Sequence, residues 1–361
     1  TAADYEALIP QIYPEAESVS AYGGEDLTPP SYGKVFISVK PYNGVLLSSG
    51  IKQNLQQRLR KYSVAGILPE IIDLKYLYVE AKCSVYYDSN LAPTASFVQN
   101  VVTTNITNYS ESSDLNKFGG RFKYSRFQKV IDQSHESVTS NITNIDIRRD
   151  INARLNTFVE YELCFGNRFY IKNHGHGANF DGNLIGYNIK SSGFTVSGIS
   201  GIVYLGDSPA GNLSKGTVFL FKLNSSSEPY IVRQNVGIID YLKGEIRLNP
   251  INIISTLLNR GTPLIEVSAS PYSNDVIGLQ DLYLQLDVNN TTVDVIADNI
   301  SSGNDVSGTN YIVSSSYGST DLVRGNPIVQ TNTEFTVVTS PDVPRNTNIS
   351  TASRGTRSSS Y

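Results

Sequence analysis

A chain of 361 residues exceeds one ordinary hydrophobic core, so two or three domains are expected. With 40% hydrophobic and 17% charged residues it reads as globular and lightly charged; 29 Lys and Arg against 33 Asp and Glu give a formal charge of −4, with no basic cluster interleaved with aromatics, so nucleic acid is not an expected partner. No apolar run approaches the roughly 18 residues that span a bilayer, and the first residues are polar and acidic, so neither membrane insertion nor an export leader is expected.

Residues 1–33 form a helix and a Gly/Pro-rich lead-in. Thr1 can cap the helix, Asp4 and Glu6 suit its first turn, and Tyr5, Leu8 and Ile9 make its apolar side. The sequence contains no methionine, and Thr1 is read as an internal cut. In Tyr22-Gly-Gly-Glu-Asp-Leu-Thr-Pro-Pro-Ser-Tyr-Gly33 the paired glycines and prolines predict a turn and an extended approach; the run lacks the Lys-Ser/Thr of a phosphate loop and the ligand spacing of a calcium loop.

Residues 34–150 read as an α+β domain, a small mixed sheet with helices on one face. Val35, Ile37 and Val39 alternate with polar neighbours as in a half-buried strand. Ser48 or Ser49 can cap a helix carrying Ile51, Leu55, Leu59 and Tyr62 at one-turn spacing, ended by Gly66 and Pro69. Alternation resumes at Leu77, Val79, Ala81, Cys83, Val85 and Tyr87, so Lys34 to Ser89 predicts one sheet crossed by one helix, with Leu55 and Val85 sharing a core. A helix from Pro93-Thr94 pairs Phe97 with Val101 and Val98 with Val102; another, Tyr124 to Gln133, buries Phe127, Val130 and Ile131; Ile142 to Arg148 is a further strand.

Residues 151–250 lose the helical period and read as an all-β insertion or domain. Candidate strands are Phe158 to Cys164, Arg168 to Lys172, Gly198 to Tyr204, Thr217 to Leu223 and Tyr230 to Gln234, followed by a hairpin from Gly237 to Leu248 turning at Lys243-Gly244. Residues 251–297 return to the main body, with Leu282 to Leu286 and Val293 to Ile296 able to complete a sheet. Residues 298–361 are a Ser/Thr/Asn-rich polar extended arm or small β region. Its apolar islands supply candidate partner-interface residues: Tyr311, Ile312 and Val313; Ile328 and Val329; Phe335 and Val337. They predict strands added to a neighbouring subunit, or a small β unit of the same chain.

Chemistry is sparse. Cys83 and Cys164, the two cysteines, fall on apolar phases and read as buried thiols. We assign no catalytic, cofactor or metal site. The residues that could form a metal site are His174, His176 and Asp181 in Asn173-His-Gly-His-Gly-Ala-Asn-Phe-Asp-Gly182, where the glycines read more simply as a solvent-facing loop. There is no nucleophile elbow, Walker loop or dinucleotide fingerprint.

The order Thr1-x-x-Asp4-Tyr5-Glu6, then Tyr22-Gly-Gly-Glu-Asp26 with Pro29-Pro30 and Tyr32-Gly-Lys-Val-Phe-Ile37, resembles the carboxy-terminal half of the baseplate wedge subunit of T4-like contractile-tailed phages, in the baseplate J-like group. Leu74 to Asp88, Gly119-Gly-Arg-Phe-x-Tyr-Ser-x-Phe127 and Gly237 to Leu248 extend the resemblance over residues 1–297. It implies a missing amino-terminal half and a structural, non-enzymatic protein of the virion baseplate, assembled in the host cytoplasm. It further implies no cofactor or small-molecule substrate, and a homodimer that binds other wedge proteins and contributes to the ring around the hub. The alternatives by composition are a tail adhesin binding host-surface glycans, since the β region is rich in Tyr and Asn, and a metal-dependent hydrolase.

Overall fold

The computed structural model describes residues 1–298 apart from 27–29, 45, 65, 113–114, 172–186 and 211–213. Helix α1 (Ala2–Ile12) starts where Thr1 Oγ1 donates to Asp4 Oδ2 at 2.9 Å, and it buries Tyr5, Ile9 and Ile12. Strand β1 (Ala16–Gly23) then pairs antiparallel with β2 (Lys34–Pro41). The lead-in was expected to be only turn and extended chain; β1 carries Ser18, Ser20 and Ala21, small residues whose strand character shows only against a partner. Helix α2 (Ser49–Arg60) is capped by Ser48, whose Oγ accepts from the Ile51 amide, and it buries Leu55 and Leu59. Tyr62, expected on that face, lies past the helix end and is exposed. Strand β3 (Leu68–Ile72) returns parallel to β2, as a helical crossover requires. Tyr5, Ile9, Ile37, Leu55 and Leu59 form one small core under these elements.

The next strand, β4 (Lys75–Tyr87), belongs elsewhere. The single sheet expected from Lys34 to Ser89 is therefore corrected to two. Strand β2 already has β1 on one edge and β3 on the other, which leaves no edge for β4. The predicted Leu55–Val85 contact fails for the same reason: Leu55 lies in the small core and Val85 in the large one.

Around β4 the large body builds from α3 (Ala95–Ser110), the short strands β5 (Lys117–Phe118) and β6 (Arg121–Phe122), α4 (Tyr124–Asp132) and β7 (Val138–Asn152). Thr94 Oγ1 accepts from the Phe97 amide at 3.2 Å to start α3, whose buried stripe is Val98, Val102 and Ile106 while Phe97 is 40% exposed. Helix α4 buries Phe127 and Ile131, and Val130 only partly. Strand β7 pairs antiparallel with β4 from Tyr78↔Arg148 to Tyr87↔Val138, longer at both ends than its apolar run indicates.

The β-rich stretch holds β8 (Phe158–Cys164), β9 (Lys190–Ser191), β10 (Phe194–Val196), β11 (Tyr204–Pro209), β12 (Lys215–Leu223), β13 (Pro229–Asp240) and β14 (Glu245–Thr256). Strands β10, β14, β13, β12 and β11 lie side by side in that order, with β8 also on β14. Of the strand expected over Gly198 to Tyr204, the part up to Ile202 is instead a turn, because Gly198 and Gly201 take φ of +80° and +82°, the left-handed region; pairing begins at Val203, which bridges Phe194, and Tyr204 opens β11. From Arg168 to Ile171 the observed pairing is a single bridge, Phe169 to Pro271. The expected hairpin closes at Gly244 (φ +69°), where a Cβ would collide with the Asn167 carbonyl. The chain then adds β15 (Leu258–Asn259), β16 (Pro263–Ala269), β17 (Val276–Ile277), β18 (Leu282–Leu286) and β19 (Thr292–Ala297). Strand β16 pairs with β7, and β18 and β19 run parallel to successive halves of β4, completing its second edge. One core connects both large sheets, joining Val79, Val85, Val102 and Phe127 to Leu205, Val218 and Ile246. The fold is α+β, with four helices and many strands among the described residues.

Candidate functional site

Strand register assembles the densest charged centre. Arg148 on β7 faces Tyr78 on β4 and Ser268 on β16, and it is only 2% exposed although guanidinium groups rarely leave water unpaired. Its guanidinium hydrogen-bonds to Glu80 and to Asp150 at 3.0 Å and forms ion pairs with Asp287 at 2.9 Å and Glu266 at 3.7 Å; Tyr78 stacks on it, ring centroid to Cζ 4.4 Å. Arg260 supplies a second cation, 2.9 Å from Glu266. One residue thus ties together β4, β7, β16 and the turn between β18 and β19. Burial holds the carboxyls of Glu80 and Asp150 above their usual range despite the attraction of Arg148. Burial acts to lower the pKa of Arg148, and Asp150, Glu80, Glu266 and Asp287 together reverse that and raise it. Burial, reinforced by Asp150, pushes the Tyr78 hydroxyl up to about 12. A cavity of about 260 Å³ beside this centre is lined by Lys40, Tyr76, Tyr78, Arg148, Arg260 and Asp287.

A second buried network is centred on Asp207. Asp207 accepts from the amides of Asn188 (2.7 Å) and Ile189 (2.6 Å) and from the Tyr241 hydroxyl (2.7 Å), and burial beside that carboxylate raises the Tyr241 pKa. On the small unit, Tyr5 and Leu8 of α1, Val35 of β2, and Tyr62, Val64 and Ile67 line a largely apolar groove of about 430 Å³.

These arrangements tie strands to one another. Arg148 and Arg260 face four carboxylates, Glu80, Asp150, Glu266 and Asp287. Burial pushes the Cys83 thiol up to about 11, outweighing its hydrogen bond to Thr143, and burial also raises Cys164; both cysteines are free and neither is an activated nucleophile. Cys164 is half-buried where full burial was expected. His135 Nδ1 sits 2.8 Å from the buried Ser137 hydroxyl and accepts from the Ser137 amide, a local turn bond. Among the described residues no group of three His, Cys, Asp or Glu is placed to hold a metal ion, and no helix is long and apolar enough to cross a membrane. His174, His176 and Asp181 lie outside the described residues, as do Tyr311, Ile312, Val313, Ile328, Val329, Phe335 and Val337. Sequence reading missed the Arg148 centre, because its members are scattered from 80 to 287 and meet only through strand register.

Comparison with known proteins follows the same division. Residues 1–72 match the family described as baseplate structural protein gp6, C-terminal domain I, and residues 75–150 match gp6 C-terminal domain III. The baseplate wedge protein gp6 of Enterobacteria phage T4 is 26% identical over 153 residues, a match spanning 42% of this chain and 22% of that protein. Both family boundaries fall at the two-residue link, Asp73-Leu74, between β3 and β4. Residues 1–150 are thus gp6-like, resembling in chain order, and divided where the fold divides, domains I and III of the gp6 baseplate structural protein.

Proposed function

We propose that this chain is a structural subunit of a contractile phage tail baseplate, that it self-associates as a homodimer, and that it binds other wedge proteins to build the wedge and the inner ring. The observation that carries the reading is the consecutive match of two gp6 domain families, separated where one core ends and the next begins. Its location is the virion, in the tail baseplate. The buried ion network and the Asp207 hydrogen bonds support a role in cohesion, since they hold strands together. The interface lies in part after residue 297, where Tyr311, Ile312, Val313, Ile328, Val329, Phe335 and Val337 add apolar contacts to a neighbouring subunit.

Sedimentation of the purified chain, alone and mixed with the other wedge proteins of the same phage, tests this reading. A dimer that co-sediments with a wedge protein, and whose association weakens on truncation after Asp298, is the expected result. A monomer that ignores wedge proteins and binds host glycans would replace it with the adhesin reading.

A further inference from the structure

The small and large cores have no residue in common, and two residues, Asp73 and Leu74, link their strands. Hydrogen bonds cross the seam between them. Ser20 Oγ on β1 donates to the Gln280 carbonyl at 2.6 Å, and Gln280 Nε2 returns a bond to the Ala21 carbonyl at 3.4 Å. At its centre Tyr283 of β18 is 1% exposed, packed edge-on against Tyr76 and Phe118 with ring centroids 5.6 Å from each. Its hydroxyl hydrogen is shared between Glu17 Oε1 of β1 (3.1 Å) and the Asn116 carbonyl (2.9 Å). Within the small unit Lys40 of β2 reaches Glu17 Oε2 at 3.1 Å and orients it, and across the seam the Lys40 ammonium lies 5.9 Å over the Tyr283 ring. Lys40 and Glu17 are both mostly buried there, with side chains 12% and 27% exposed, so their pair is stronger than one in open water.

Units with separate cores joined by a short link move relative to one another unless specific contacts hold them. We propose that Glu17, Lys40 and Tyr283 form a latch that fixes the 1–72 unit against the main body, and that releasing it lets the unit swing about Asp73-Leu74 with both cores intact. The released unit presents its surface, including the apolar groove, at a different angle to the body that carries it. This inference does not depend on the baseplate reading, because every latch contact lies within one chain.

The test is a pulsed electron-spin distance measurement on the full chain with Cys164→Ala, labelled through Gln57→Cys on the small unit and Thr103→Cys on α3, both exposed positions. The latched chain gives one narrow distance distribution. Tyr283→Phe, which keeps the ring and removes the shared hydroxyl, and Glu17→Ala, which removes the carboxylate that accepts from that hydroxyl across the seam, should each at least double its width while the circular dichroism spectrum is unchanged. Distributions as narrow as the parent's in both variants would overturn the latch. So would broadening that appears only with loss of the folded spectrum, since that reports unfolding and not a swing.

Discussion

Replacing Arg148 by methionine would leave Glu80, Asp150, Glu266 and Asp287 facing a neutral side chain, with Arg260 still paired to Glu266. Removing one partner of a buried ion network costs about 3–5 kcal/mol, because the remaining charges stay desolvated. The pH dependence has a definite sign. In the folded chain Glu80 and Asp150 are raised above their ordinary values, so they favour folding below the unfolded carboxylate pKa and lose that contribution as pH rises through the folded pKa. Without Arg148 those two pKa values rise further. Urea midpoints should therefore show the variant's deficit largest at pH 7 and shrinking as pH falls through the carboxylate range; a deficit independent of pH would mean that lost packing, and not charge, accounts for it. None of this was legible in the sequence. Arg148 ended an alternating run as an outward residue, and only the register Tyr78↔Arg148 and Ser268↔Arg148 brings it among four carboxylates.

At the scale of elements, the separation of cores gives a sharper test than any single substitution. Leu55→Ala and Val85→Ala each remove a fully buried aliphatic group, and each should cost about 2–5 kcal/mol or somewhat less for the valine. Because the two side chains sit in different cores, the double variant should lose the sum of the single losses within about 0.5 kcal/mol. Coupling of 1 kcal/mol or more in denaturant unfolding would restore the shared core that periodicity suggested. Elements with strong two-residue alternation were readable nearly to the residue: β8 at Phe158–Cys164 and β18 at Leu282–Leu286 match their apolar runs. Helix starts at Ser48 and Thr94 were readable because a hydroxyl accepting a backbone amide is a local signal. Strands β1 and β3 were not, since Ser18, Ser20 and Pro69 are poor strand formers, fixed by pairing with β2 on its two edges. Which sheet a strand joins depends on edges still open when it arrives, and that is a property of the assembled fold.

For the whole molecule, the division at Asp73-Leu74 is seen in the sheets, the cores and the two family matches alike. The resemblance read from Thr1 to Ile37, and that from Leu74 to Phe127 apart from Leu74 itself, fall within those matches, whereas the stretch from Gly237 to Leu248 lies beyond residue 150. The β-rich stretch shares the large core with residues 75–150, through Val218 and Ile246, so the part outside the matched domains is physically continuous with a part inside them. Cryo-electron microscopy of the intact phage tail tests the baseplate assignment most directly. Density for this chain repeated around the tail axis within the baseplate, in contact with a second copy and with other wedge proteins, is the predicted result. Density found only in fibres or tip structures outside the baseplate would contradict it.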